Sequence, residues 1–471
     1  MLMLYLVCFF DQQQIIQQRR VSCLKNLKIT YKLAQNLLSK TCTNIIEYIQ
    51  KIIFSQDFLE RNRCQKSDFS RNRKLPLSTL ILYFCNLIKN SYQPELNKFW
   101  KILSGSVVAQ NAISKAALCK ARKKLKSEAF VELNTKAVQY FNDHANPLTW
   151  HGFSLKAVDG STVKLPNFPE IVEHFGVWNP RQGGPLPMAR ISQLFDPLNG
   201  ITHHALIAPK STGERELAAR HFEHLNERDL VLLDRGYPAF WLFKLILFYK
   251  ANFCSRISCK KWKIIRRFMK SGRSEQVITL SLPATSIAAC KKLQLNTRSI
   301  RLRLVRVELE SGESEVLVTS LIDAEKYPHQ LFAELYHDRW PIEEDYKIMK
   351  CRIEIENFSG KSPLSVYQDF HAAVFSKNIT SMLVASTREK VASATASRIL
   401  VYKSNFAQAL STMRDTIVVL LQGSRKTIFK IISDLLETIA KAVEPVRPGR
   451  KFPRNHKRAQ RKCCLNYKPI L

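Results

Sequence analysis

The 471-residue chain predicts an α/β fold with helical regions at both ends. Three observations carry this. From residue 150, strand-like and helix-like stretches alternate, the pattern of a layered α/β domain. Within it, the apolar run Leu230 to Leu233 ends in Asp234, as a strand buried on both faces would. Residues 20 to about 145 and 365 to 444 read as helical.

Along the chain, "PLSTLILYFCNLI" (76–88) predicts a buried helix. "ISKAALCKARKKLKSEAF" (113–130) predicts a helix capped by Ser114, with Ala117, Ala121 and Leu125 as its apolar stripe. Its lysines and Arg122 make it a basic helix of a kind that can enter a DNA groove, or a solvated surface helix. "FSLKAVDGSTVKL" (153–165) reads as two strands turning at Asp159–Gly160. "GITHHALIAP" (200–209) reads as a strand and "GERELAARHFEHL" (213–225) as a helix. Four β candidates with little helix among them, "FCSRIS", "QVITLSL", "SIRLRLVRVELE" and "SEVLVTSLI", predict an inserted β module over 254–322. "SVYQDFHAAVFSKNITSMLVAS" (365–386) is helical again, and 405–444 predicts a helical pair around Gly423.

Lys and Arg total 73 against 39 Asp and Glu, a formal charge of +34. Such an excess calls for a polyanionic partner, most simply nucleic acid. A hydrophobic content of 45% excludes a disordered polycation. Twelve cysteines without a CxxC pair or a completing His set argue for free thiols in a reducing cytoplasm rather than zinc. The opening "MLMLYLVCFF" is too short to span a bilayer, so no membrane role is expected. Arg447 to Lys462 holds eight cations, two prolines and no acid, a polybasic tail suited to phosphates.

The stretch "YHDRWPIEEDYKIMK" (336–350) offers three consecutive carboxylates. At about 100° per helical residue from Tyr336, Arg339 falls at about 300°, Glu343 at about 340°, Lys350 at about 320° and Lys347 at about 20°. Glu344 and Asp345, at about 80° and about 180°, point elsewhere. Pro341 disfavours helix at Trp340, so the shared face holds best beyond it. Trp340 itself reads as a packing anchor, and Trp262 as either core or a wedge beside a flipped base. Asp159 and Asp234 each close an apolar run at a strand end, where open α/β sheets carry their sites and where a charge needs a partner or metal. Taken singly, each is more often a turn or capping residue; carboxylates without a His or Cys set suit a hard cation, Mg²⁺ with Mn²⁺ as a substitute.

"AVDGSTVKLP", "LLDRGYPAF" and Tyr336-x2-Arg339-x3-Glu343-x6-Lys350, in this order, resemble the three motifs of the DDE transposases of the insertion-sequence-4 family and its Tyr–Arg–Glu–Lys signature. "DFSRNRKLPL", "MARISQLFDPLNG" and "IENFSGKSPLSVYQDFHAAV" resemble it too, so the likeness spans roughly residues 50 to 400. The resemblance implies a ribonuclease H-like catalytic core with a mostly β insertion, flanked by helical N- and C-terminal regions. The expected division is a helical DNA-binding region (1–145), a catalytic domain (150–390) with its insertion at 254–322, a helical region (391–446) and the basic tail (447–471). The insertion also accounts for the 109 positions between Asp234 and Glu343, against 75 between Asp159 and Asp234.

By the same resemblance, Asp159 bridges two Mg²⁺ ions, and Asp234 and Glu343 each complete one. Water nicks the transposon end and the freed 3′-hydroxyl then attacks DNA, with two ions clamping the in-line displacement. Tyr336, Arg339, Lys347 and Lys350, together with Arg122 and Lys123 of the basic helix, are the expected DNA contacts. The implied partners are double-stranded DNA, both transposon ends and target, and a second copy in a homodimeric synaptic complex. The implied setting is the bacterial cytoplasm, on the nucleoid. Two other readings are a decayed or domesticated DNA-end binder without chemistry, and a nuclease of repair or RNA cleavage. The complete carboxylate set and tetrad favour transposition.

Overall fold

The protein is described from a computed structural model. It covers residues 38–447 apart from 72, 89, 109–111, 180–184, 260–261 and 310–311. The N-terminal apolar decapeptide and all of the polybasic tail beyond Arg447 lie outside the described residues.

One mixed sheet organises the centre. Its strands are β1 (Ser154–Lys164), β2 (Val177–Trp178), β3 (Leu186–Asp196), β4 (Ile201–Pro209), β5 (Asp229–Leu233), β6 (Asn252–Ile257), β7 (Glu275–Leu280), β8 (Ile300–Glu308) and β9 (Ser314–Thr319). The order is β4-β3-β1-β5-β6-β9-β8-β7, with β2 paired to the first residues of β3. β1–β5 and β5–β6 are parallel, and every other neighbouring pair is antiparallel.

The β5 run meets its expectation, because successive side chains enter different cores. Val231 and Leu233 join Val158, Phe222 and Phe243 on one face. Leu230 and Leu232 join Leu155, Phe332 and Leu335 on the other. The run Leu230 to Leu233 is covered on both faces and carries no charge, and Asp234 is the first residue beyond it.

Two readings of this region need correction. "FSLKAVDGSTVKL" is not a strand pair but one strand, because β3 pairs with it without a break from Ala157↔Phe195 to Lys164↔Met188. Glycine and aspartate signal turns locally, yet a continuous partner strand overrides that preference. The 254–322 segment is also less purely β than its texture suggests. Helices Lys263–Lys270 and Ala284–Lys292 separate its strands. Its strands form no detached module, since β9 pairs with β6 and carries β8 and β7 outward on the same sheet.

Both helical ends share a single core. Leu80, Phe99 and Phe130 from the N-terminal side pack with Phe375, Ile379, Ile417, Leu421 and Ile432 from the C-terminal side. The expected pair around Gly423 is three helices, Phe406–Met413, Thr416–Gln422 and Arg425–Lys441. Helix Pro363–Ala385 runs between this core and the sheet, opened by a Ser362–Ser365 capping box. No described helix is long and apolar enough to cross a membrane.

That long helix carries a buried ion pair. Lys377 Nζ lies 2.5 Å from Asp345 Oδ1 and 2.8 Å from Thr202 Oγ1. Burial pulls the Lys377 ammonium down from its ordinary range, and Asp345 opposes that shift. Lys377→Met leaves Asp345 buried without its counter-ion and is expected to cost about 3–5 kcal/mol in urea unfolding, whereas the Asp345→Leu/Lys377→Met double variant recovers most of it. Equal loss in single and double variants would show that the pair is not the source of the cost.

Candidate active site

Two carboxylates are brought together by strand register. Val158↔Leu233 is the last parallel pair of β1 and β5, so Asp159 and Asp234 are the next residues on adjacent strands. Each carboxylate accepts a nearby amide. Gly160 N donates to Asp159 Oδ1 at 2.8 Å, and Gly236 N to Asp234 Oδ1 at 2.8 Å. Arg215 donates to Gly236 O at 2.8 and 3.0 Å, which ties the loop after Asp234 to the start of helix Glu214–Phe222.

The third carboxylate arrives on a helix. Leu331–His337 and Pro341–Lys347 are separate helical segments, but Trp340 between them is itself helical, at φ −59° and ψ −34°. Pro341 was expected to disfavour that conformation. Tightening to i→i−3 bonds accommodates it, as in Trp340 N to His337 O at 3.0 Å and Glu343 N to Trp340 O at 2.9 Å. The helix is docked on β1 by Tyr346, whose buried hydroxyl donates to Asp159 O at 2.7 Å. Ile342 and Met349 pack beside it against Ala157 and Ile191.

The three carboxylates sense one another. Burial pushes the Asp159 carboxyl up to about 6, Gly160 N–H and Arg339 pull it back, and Asp234 and Glu343 raise it further. Arg339 Nη2 binds Glu343 Oε1 at 2.7 Å, and its guanidinium sits 5.9 Å from the Tyr336 ring centroid. Asp345 turns inward to Lys377 and Glu344 outward to Lys347 at 2.5 Å, so neither joins Asp159.

Lys350 lies in a π-helical turn, Ile348–Arg352, and donates to Ser161 Oγ at 2.6 Å, two residues beyond Asp159 on the same strand. The other expected cations divide. Lys347 does not join Glu343, because it is exposed and pairs with Glu344. Tyr336 is half-buried, and burial raises its hydroxyl well above the ordinary range. Its ring supports Arg339 rather than facing outward.

Arg122 is the clear correction. Its side chain is on the buried stripe with Leu118 and Leu125, because spacing of four and three selects those positions rather than Ala117. The guanidinium binds Asp369 at 2.6 Å, Gln368 Oε1 at 2.6 Å and Ser365 O at 2.7 Å, and covers the Phe84 ring. It clamps the N-terminal helices to helix Pro363–Ala385 and is not available to DNA. Lys123, next to it, is exposed. Ser114 caps its helix as expected, accepting from Ala117 N.

Sequence reasoning missed Tyr346 and the Asp345–Lys377 pair as positioning groups. The only local signal was an apolar or aromatic residue three positions after Glu343. As for a cation, the donor chemistry of Asp159, Asp234 and Glu343 fits a hard divalent ion. Among the described residues, however, no three His, Cys, Asp or Glu side chains are gathered closely enough to enclose one. Glu343 holds Arg339 instead.

The chain is similar to known transposases. The family model described as the transposase DDE domain matches residues 150–379, a span containing all three carboxylates. The transposase InsG of insertion sequence element IS4, from Escherichia coli strain K12, is 24% identical over 82% of this chain and 86% of its own. The putative transposase InsZ of the same organism is 22% identical over 40% of this chain and 61% of its own. Among solved structures, a piggyBac transposase synaptic complex with hairpin DNA aligns with 86% of this chain and 87% of its own, at 10% identity and a TM-score of 0.41.

The raised Asp159 carboxyl has a consequence for stability. A folded value of about 6 against an ordinary 3.8 means that the proton is held more tightly in the folded state. The resulting stabilisation is complete below the unfolded value and is lost as pH rises through about 6. Asp159→Asn is therefore expected to stabilise the protein at pH 7.5 by up to about 3 kcal/mol, and by progressively less toward pH 4. Melting curves across this range check it; a pH-independent difference would contradict the assignment.

Proposed function

We propose, for a chain that belongs with the insertion-sequence-4 type of DDE transposases, that it cleaves DNA at transposon ends and joins the freed 3′ ends to target DNA. The observation that carries this is the placement of Asp159 and Asp234 as next neighbours on parallel strands, with the Glu343 helix tied to Asp159 by Tyr346. The order β4-β3-β1-β5-β6, with β3 its one antiparallel member, supports reading the core as ribonuclease H-like.

Asp159, Asp234 and Glu343 are the residues that would hold divalent cations, Mg²⁺ or Mn²⁺. When bound, such ions supply charge neutralisation at the attacking and leaving oxygens of a phosphodiester. The chain's own groups do the rest. Arg339 gives up Glu343 and takes a DNA phosphate in its place, a fork-shaped donor exchanging one oxyanion for another. The Tyr336 ring and the packing around Arg339 keep that guanidinium aimed at the centre. Lys350, bonded to Ser161 two residues beyond Asp159 on β1, offers a point charge there. No protein nucleophile is needed.

Charge brings the substrate. With +34 overall, the chain attracts duplex DNA by counter-ion release, and exposed Lys123 together with the Arg447–Lys462 run are the proposed phosphate contacts away from the chemistry. Two copies would bring two ends together.

A supercoiled plasmid carrying the inverted repeats that flank the gene, incubated with Mg²⁺, tests the reading. Wild-type protein is expected to nick and excise. Asp159→Ala, Asp234→Ala and Glu343→Ala are each expected to lower cleavage on the order of a thousandfold, about 4 kcal/mol in the barrier, while still binding DNA. A variant that cuts at near wild-type rate removes its residue from the site. Wild-type binding without cutting leaves a DNA-end binder.

A further inference from the structure

Beside the three expected carboxylates stands a fourth that neither the motifs nor the mechanism above employs. Glu214 is the first residue of helix Glu214–Phe222, the helix joined to the Asp234 loop by Arg215. Its side chain lies over Gly160, the residue after Asp159. A Cβ added at Gly160 would meet Glu214 Cγ at 3.2 Å, Cδ at 3.5 Å and Oε1 at 3.7 Å. Glycine at this position of β1 is thus what gives the carboxylate its place. On its outer side Glu214 accepts from Arg190 Nη1 at 2.8 Å, and its side chain remains 52% exposed.

A second, independent feature points into the same space. Tyr237 is only 2% exposed, and its hydroxyl has no hydrogen-bond partner. Burial raises that hydroxyl well above its ordinary range, and the charges it feels are Asp159, Glu214 and Asp234, in that order, and then Arg190. A buried phenol donor that feels three carboxylates but is bonded to none forgoes on the order of 1–3 kcal/mol, unless a further species accepts from it. The species that suits three acidic side chains and one donor is water bound to a cation, since cation-bound water donates to carboxylates and its oxygen can accept from the phenol.

We propose that Glu214 and the Tyr237 hydroxyl hold the water shell of a divalent cation seated at Asp159 and Asp234. Glu214 then acts through water and not as a direct ligand, consistent with side chains that are not drawn together enough to enclose an ion. Arg190 binds the carboxylate, and Gly160 leaves room for it. The inference rests on the cation reading of the site given above, and its test separates the two.

The full-length chain is titrated with Mn²⁺ alone, free Mn²⁺ being counted by electron paramagnetic resonance, with melting temperature recorded for every variant. Wild-type protein is expected to bind Mn²⁺, and Asp159→Asn to lose that binding. Glu214→Gln is expected to weaken it by about tenfold and Tyr237→Phe by several fold, within the range found for groups that orient metal ligands. Glu214→Asp, which keeps the charge, is expected to recover part of the loss. Because the Glu214 carboxylate faces solvent on one side, the Glu214 changes should leave the melting temperature nearly unaltered, whereas Tyr237→Phe, which removes an unpartnered buried hydroxyl, should leave it unchanged or raise it. If Glu214→Gln and Tyr237→Phe both titrate as wild type while Asp159→Asn does not bind, the inference is overturned and the cation site stands. If wild type binds no better than Asp159→Asn, the cation site falls and this inference with it.

Discussion

The register of β1 against β5 is the constraint on which the site depends. Because Val158 and Leu233 are the last parallel pair, Asp159 and Asp234 emerge side by side where the apolar layers stop. A shift of one residue would send the Asp159 side chain to the opposite face of the sheet. That register is held from both faces at once, by Leu155, Leu230 and Leu232 below and by Val158, Val231 and Leu233 above. Burying such side chains contributes about 1.5–3 kcal/mol each, far more than two neighbouring carboxylates lose by repulsion at a partly open edge. The core therefore sets the place of the acids, and the acids adapt to it.

Glu343 needs separate means, since 109 positions of chain and the outer half of the sheet intervene. Two contacts fix its helix. Tyr346 reaches the backbone of Asp159 itself, so the third carboxylate is referenced to the first rather than to a remote loop. Asp345 and Lys377 lock the helix's rotation by a buried ion pair, which Thr202 Oγ1 completes. Three consecutive acids thus have three distinct fates: a pair with Arg339, a surface pair with Lys347 and a buried anchor.

The chain's large positive charge and its acidic centre are complementary parts of one design. Around Asp159 the local balance comes from Arg339, held against Glu343, and from Arg190, held against Glu214. Away from the centre, surface lysines supply long-range attraction without competing for the carboxylates. Arg122 shows that not every cation in a basic run serves that purpose. Its fork is consumed in joining the N-terminal helices to helix Pro363–Ala385, which makes the two helical ends one body with a common core.

The sequence alone determined the α/β class, the buried strand ending at Asp234, the helix capped by Ser114 and the sorting of Glu343 from Glu344 and Asp345. Each follows from periodicity or end chemistry within a few residues, and spaced motifs identified the family. Only the tertiary structure decided that Asp159–Gly160 continues a strand instead of turning, because a partner strand 33 positions away supplies its hydrogen bonds. Only it decided that the 254–322 segment extends the central sheet, and that Arg122 is buried while Lys123 is not. Pairing of that kind arises from contacts distant in sequence, Arg122 with Asp369 or Glu214 with Gly160, and no local pattern encodes which distant residue will be met.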